Sequence, residues 1–469
     1  MKTKTRIESD SMGKMRVPAG AYYGAQTARA VENFPVSGTT LPRSFTSAVG
    51  IIKSAAAQTN MELGLLGKRA GKAIVSAAGE VVNGKLDAHF VVDVFQTGSG
   101  TSTNMNANEV IANRANEILG GKIGDKSPVH PNDHVNMGQS SNDVIPSATH
   151  ISTLIEIHEK LLPALAKLEK SLARKSRAFS SVVKIGRTHL QDATPVTLGQ
   201  EFGGYAAMIS QRTRDIKHSC EGLRELALGG TAVGTGINTH KKFGLKTAAR
   251  ISRLAGTRFV EAKNHFEAQS GRDAVVQMSG SLKTLATSLM KISNDIRWLG
   301  SGPRCGFGEI DVPAVQPGSS IMPGKVNPVM AESLTQVCAQ VIGNDSAITV
   351  GGQSGNFELN VMMPMMANNL LNSVSLLSNI CEVFTEKCVD GIMANKEQCE
   401  ESIEKSLAMC TSLAPVIGYD SAAAIAKEAY EKNKTVRETA EEKKILPKKE
   451  LDSLLDARAM TGSASLRKK

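Results

Sequence analysis

Aromatic side chains are scarce in this chain: they make up 4% of 469 residues, with a single tryptophan, Trp298. Sheets favour aromatic and β-branched residues, so a core drawn from alanine, leucine, isoleucine, valine and 18 methionines points to helix. Few aromatics interleave the basic residues, which argues against a stacking platform for single-stranded nucleic acid. Cysteine is unpatterned: there are seven, at 220, 305, 338, 381, 388, 399 and 410, with no Cys-x-x-Cys. That odd number offers no zinc or disulfide framework and suits a reducing compartment. No run of about 18 apolar residues is present, so no membrane-spanning helix is expected. The opening MKTKTRIESDSMGK has no apolar core and soon turns acidic, unlike a signal or transit peptide. A cytoplasmic protein is expected. Proline is missing between Pro195 and Pro303, which leaves room for long unbroken helices.

What is present is a large apolar fraction, 41%, against 21% charged residues, which excludes a disordered chain. The length allows two to four folding units or one large helical assembly. Lys and Arg outnumber Asp and Glu by 55 to 45, giving +10. Part of the excess is local, at Lys443, Lys444, Lys448, Lys449 and Arg467-Lys468-Lys469. A solvated surface with a cationic pocket for a small acidic substrate accounts for the rest.

Val275, Met278, Leu282, Leu285, Leu289, Ile292, Ile296 and Leu299 alternate steps of three and four, a heptad-like seam. A second seam runs through Ile151, Leu154, Leu161, Leu165, Leu168 and Leu172, with His158 at one seam position and Pro163 interrupting. One rod cannot hide its own stripe, so several must bundle, within the chain or across subunits. Residues 1 to about 139 mix shorter helical patterns with glycine-rich turns, and residues from about 397 onward read as short charged helices. Segment 302–328 carries five prolines and is expected to be an ordered loop.

Four polar segments stand out. GSSIMPGKVNP (318–328) resembles a P-loop only superficially: five residues separate its glycines where that motif has four, and Val326 stands where Ser or Thr should hold magnesium. It remains a loop able to aim backbone N–H groups, an ammonium and an amide at an anion. TGSGTSTNMNANE (97–109) is dense in hydroxyls and amides; helix capping explains one or two of them, not Ser99, Thr101, Ser102, Thr103, Asn104 and Asn106 together. HPNDHVNMGQSSND (130–143) adds His130 and His134 at helical spacing, without the third ligand a metal needs, while Asn132 and Asp133 equally suit a turn. GRTHLQDATP (186–195) offers Thr188-His189, and a histidine acts as acid or base when a carboxylate orients it, Glu332 being the candidate. Neutral donors, one lysine and one or two histidines suit a small dicarboxylate.

With these residues the chain resembles the fumarase/aspartase superfamily from about Arg6 to Gly462, and class II fumarase most closely. GSSIMPGKVNP looks like the superfamily signature. Thr97-Gly98-Ser99-Gly100, Ser140-Ser141, Leu228-Gly229-Gly230, Asp192-Ala193-Thr194-Pro195 and Ser354-Gly355-Asn356-Phe357 look like fumarase. His134-Val135-Asn136-Met137, Ala21-Tyr22-Tyr23-Gly24 and Pro328-Val329-Met330 look more like aspartase, and Gly138 stands where serine is usual. The resemblance implies a mainly α subunit of three domains: an N-terminal lyase domain (1–139), a central bundle of long helices (140–396) and a small C-terminal helical domain (397–469). It also implies a homotetramer with a twenty-helix core, sites shared among three subunits, and no cofactor, metal, nucleic acid or membrane.

For the site, the resemblance implies Ser319 as the base, Lys325 and Asn327 as donors to an aci-carboxylate, and His189, oriented by Glu332, as the group that handles water. Ser99, Thr101, Ser140, Ser141, Asn142, Thr188 and Ser320 would hold a fumarate or malate dianion. His130, Asn132 and Asp133 would form an accessory dicarboxylate site. Ammonia elimination from aspartate on the same scaffold is the alternative activity, and a non-catalytic nucleic-acid-binding homologue is the alternative of another class.

Overall fold

The computed structural model describes residues 4–462; the basic ending Arg467-Lys468-Lys469 lies outside them. The described residues are mainly helical, with five two-stranded sheets between the helices. The chain divides into two compact units. The first takes residues up to Pro163 with Thr213–Ala286 and Ala339–Ser378; the second takes Ala164–Arg212, Thr287–Cys338 and the chain from Asn379.

In the first unit, an antiparallel hairpin (Thr5–Asp10 with Gly13–Pro18) precedes helices Ala25–Asn33, Arg43–Glu62, Lys68–Val82, Thr101–Ile118 and Ser141–Glu156. Its core is small-residue packing: Ala57, Ala73, Ala77, Ala78, Ala112 and Ala115 fill the space between Ile74, Val81, Val110 and Ile111. Gly50 shows how closely the helices approach, since a Cβ there would stand 3.0 Å from Val82 and 3.2 Å from the Ala78 carbonyl. Alanine and glycine thus replace the bulk that aromatics would supply.

The seam expected in the proline-free stretch lies in one helix of 27 residues, Asp273–Leu299, and every member from Val275 to Leu299 is at most 5% exposed. Each such side chain contributes about 1.5–3 kcal/mol on burial. The second seam needs a correction. Pro163 does not interrupt it: helix Ser141–Glu156 continues through a wider π-type turn, Ile157–Leu161, into helix Leu162–Ala178. Proline lacks an N–H and its ring crowds the carbonyl four residues earlier, and a widened turn relieves that crowding. The extra residue also moves the stripe. Fully buried Ile157 takes the inward place and His158 is exposed.

In the second unit, the hairpin Val183–Thr188 with Gln191–Thr197 rests on the short C-terminal helices. Ile185 from the hairpin joins Ile403, Met409, Leu413, Ile425, Val436, Leu451 and Leu455 in one cluster. Segment 302–328 is irregular apart from strand Ile310–Asp311, which pairs antiparallel with Met393–Ala394.

Candidate active site

In the first unit two helix starts carry the polar segments. Helix Thr101–Ile118 follows Gly100, whose φ of 71° is left-handed and favours glycine. Gly98 allows a close approach: a Cβ there would fall 1.8 Å from the Val361 carbonyl. The buried Ser99 hydroxyl is 2.8 Å from Thr101 Oγ1, so the two form one hydroxyl pair at the positive end of the helix.

Helix Ser141–Glu156 opens with a capping box. The Asn142 N–H donates to Ser140 Oγ at 3.2 Å, and the Ser140 N–H donates to Asp143 Oδ1 at 2.9 Å. Asp143 Oδ2 also accepts N–H bonds from Gly229 (3.2 Å) and Thr231 (2.9 Å). Burial pushes the Asp143 carboxyl up to about 6, although these three N–H groups hold it down. Asn142 Nδ2 donates to the Ala232 carbonyl at 2.8 Å, and Asn104 Nδ2 donates to Ser141 Oγ at 3.2 Å. A Cβ on Gly100 would meet Ile145 at 2.8 Å, so the two helix starts are in contact. Ser99, Thr101, Ser140, Ser141 and Asn142 therefore belong to one neighbourhood, and adjacent helix N-termini suit an anion.

His130 caps the π-type turn Pro131–Val135: its Nδ1 accepts from the N–H groups of Asn132 (3.3 Å) and Asp133 (3.2 Å). His134 Nδ1 accepts from the His130 N–H at 2.8 Å. The Nδ1 atom of each histidine is thus engaged by backbone donors. Among the described residues no group of three or more His, Cys, Asp or Glu side chains is arranged to hold a metal ion.

In the second unit, loop 318–328 folds back on itself. The Gly318 N–H donates to the Lys325 carbonyl at 2.9 Å, and Asn327 Nδ2 donates to the Gly318 carbonyl at 2.5 Å. Gly318 must be glycine, because a Cβ would stand 2.2 Å from that Lys325 carbonyl. Within the fold-back, Ser319 Oγ accepts N–H bonds from Met322 (2.9 Å) and Ile321 (3.2 Å). Ser320 is exposed beside it. Lys325, Asn327 and Glu332 line one cleft of about 370 Å³ with Asn294, Arg297 and Trp298. Sequence reading missed these last three; no spacing pattern links them to the loop.

Thr188 and His189 end the hairpin. Thr188 pairs with Gln191, which leaves His189 (φ 57°) and Leu190 (φ 60°) as a two-residue turn. Such mirror-image turns normally take Asn-Gly, and a left-handed non-glycine residue costs about 1–2 kcal/mol. Buried ions anchor the strand below. Lys184 Nζ lies 2.9 Å from Glu201 Oε1 and 3.2 Å from Glu309 Oε2. Arg187 Nη1 lies 2.9 Å from Glu309 Oε1, and its guanidinium sits 4.1 Å over the Phe307 ring. His189 itself is exposed. The histidine–carboxylate pairs among the described residues are His130–Asp133 and His265–Glu261, so Glu332 does not orient His189 within one chain.

Compared with known proteins, residues 13–343 match a lyase family model and residues 409–462 match the model of the fumarase C C-terminus. A class II fumarate hydratase of Neisseria meningitidis is 53% identical over 96% of this chain and 98% of its own. The chain belongs to the class II fumarate hydratase family. The mitochondrial fumarate hydratase of Homo sapiens is 53% identical over 97% of this chain and 90% of its own. The crystal structure of a class II fumarase from Schistosoma mansoni superposes with a TM-score of 0.96 at 42% identity, over 97% of this chain and 99% of that one. The mainly α, fumarase-like fold is thereby established, and no helix among the described residues is long and apolar enough to cross a membrane.

Proposed function

We propose that this chain hydrates fumarate reversibly to (S)-malate by anti addition, through an aci-carboxylate intermediate, with Ser319 as the base that takes the proton in the dehydration direction. One observation carries the assignment: Ser319 Oγ accepts two backbone N–H bonds, from Ile321 and Met322. A serine hydroxyl is a poor base unless its alkoxide is stabilised. Two N–H donors fixed before the reaction supply that stabilisation without reorganisation.

The remaining roles follow the resemblance. Lys325 and Asn327 face the doubly negative carboxyl group, and their shared cleft supports this. Ser99, Thr101, Ser140, Ser141 and Asn142 hold the dianion at the paired helix starts, with Thr188 and Ser320 completing its contacts. His189, oriented by Glu332 from another chain, holds or protonates the departing water. Leu190 at the hairpin tip and Ile321, Met322 and Val326 in loop 318–328 are 47–83% exposed. A homotetramer with sites shared among three subunits would cover them and exclude water. His130, Asn132 and Asp133 form an accessory dicarboxylate site. The three-domain division at 139/140 and 396/397 and a cytoplasmic location, in keeping with seven free cysteines, complete the reading.

Incubation with fumarate in ammonium-free buffer tests the reaction. Loss of fumarate absorbance with formation of (S)-malate is expected. A strict requirement for ammonium, with aspartate as the partner product, reverses the assignment.

A further inference from the structure

Helix Arg43–Glu62 runs Val49-Gly50-Ile51-Ile52-Lys53-Ser54-Ala55 through the first unit's core, and Lys53 is fully buried. A buried ammonium is tolerated when its hydrogen bonds are met. Here Nζ donates to Asn136 Oδ1 at 2.9 Å and to Gln139 Oε1 at 3.0 Å, both neutral acceptors.

Those two acceptors begin a relay. Asn136 Oδ1 also accepts from Asn104 Nδ2 at 3.2 Å, and the same Asn104 Nδ2 lies 3.2 Å from Ser141 Oγ. Asn136 Nδ2 in turn donates to the Gln139 carbonyl at 3.1 Å, which closes strip 136–139 just before the Ser140 cap. One charged group thus fixes the strip that feeds the helix start. The negative charge acting on it is Asp143, on helix Ser141–Glu156, and Asp143 is already engaged by three backbone N–H groups. Helices Lys68–Val82, Thr101–Ile118 and Phe243–Leu254 and the Pro131–Val135 turn also pack on the lysine's helix; none brings a charge that shifts it.

We propose that Lys53 is a positioning residue for the substrate: its ammonium locks Asn136 and Gln139, sets Ser141 through Asn104, and leaves a positive charge behind the Ser140–Asn142 helix start. This rests on the reading of Ser140–Asn142 as a holder of the dicarboxylate. Burial draws Lys53 down to about 7, so its charge fades across neutral pH. Dianion binding should weaken as pH rises through that value.

The test is steady-state kinetics with fumarate on full-length Lys53→Met, whose unbranched side chain keeps the volume. The KM should rise about tenfold with kcat within about threefold, the scale of one lost charged hydrogen bond. The weakening of KM through neutral pH should be smaller than in the unsubstituted protein. An unchanged KM and an unchanged pH profile in the folded variant overturn the proposal. Should Lys53→Met fail to fold, Gln139→Leu takes its place: a raised KM supports the relay, and an unaltered KM overturns it. Ser141→Ala separates the two levels. A raised KM there with none in Lys53→Met overturns the lysine's role alone; an unaltered KM in Ser141→Ala overturns the site reading and the proposal with it.

Discussion

Ser99 and Ser141 are buried at helix starts, with their hydroxyls already placed by Thr101 and Asn104. Ser319 and His189 sit on loop tips, one in a fold-back of its own backbone, the other in a strained two-residue turn beside the exposed Leu190. The first region is rigid through secondary structure; the second is shaped by local hydrogen bonds and buried ions. The contrast teaches a division of labour. Groups that bind a dianion can be set by helix geometry, which supplies N–H donors and a dipole. On the proposed roles, the groups that move protons sit on unusual backbone, half-buried for Ser319 and exposed for His189.

The contrast breaks most sharply at Ser319. In Ser319→Ala, kcat should fall about 10²–10⁴-fold, as for loss of a proton-transfer group, while succinate binding by calorimetry and oligomer size stay unchanged. Glu309→Gln removes the counter-charge of Lys184 and Arg187 under the hairpin. Breaking such a buried pair should lower unfolding free energy by about 3–5 kcal/mol in denaturant titration. Ser140→Ala strips a helix cap in the binding region and should cost about 1 kcal/mol of stability, with a raised KM and near-normal kcat.

The smallest effect is in the pH dependence of stability. Lys53 titrates at about 7 in the folded chain against 10.5 as its ordinary value. The unfolded chain binds the extra proton between these values, so the lysine's destabilising contribution is full below about 7 and fades as pH rises to the unfolded value. The difference in melting temperature between Lys53→Met and the unsubstituted chain should therefore shrink with rising pH across that window.

Much of the first region was legible in the sequence. Hydroxyl and amide density at 97–106 and 140–142, beyond what helix capping needs, singled out these residues as candidates for a polar ligand. The seam of helix Asp273–Leu299 was legible because its period is regular. Lys53 was missed although a lone charge inside Ile51-Ile52-Lys53-Ser54-Ala55 is a visible anomaly; only the fold shows that it points at Asn136. The hairpin tip was unreadable, because His-Leu is not a turn sequence and its shape is imposed by Lys184, Arg187 and Glu309, the last distant in sequence. Pro163 misled for the opposite reason: a local rule was overridden by a widened turn that kept Leu165, Leu168 and Leu172 buried.

Mixing two inactive variants tests most directly whether separate chains complete one site. Ser319→Ala and His189→Asn, unfolded together and refolded as hybrids, should recover fumarate hydration well above either variant refolded alone, because some hybrid sites then contain both native residues. If the mixture stays as inactive as its parents while hybrid oligomers form, both residues come from the same chain, and the shared site is wrong.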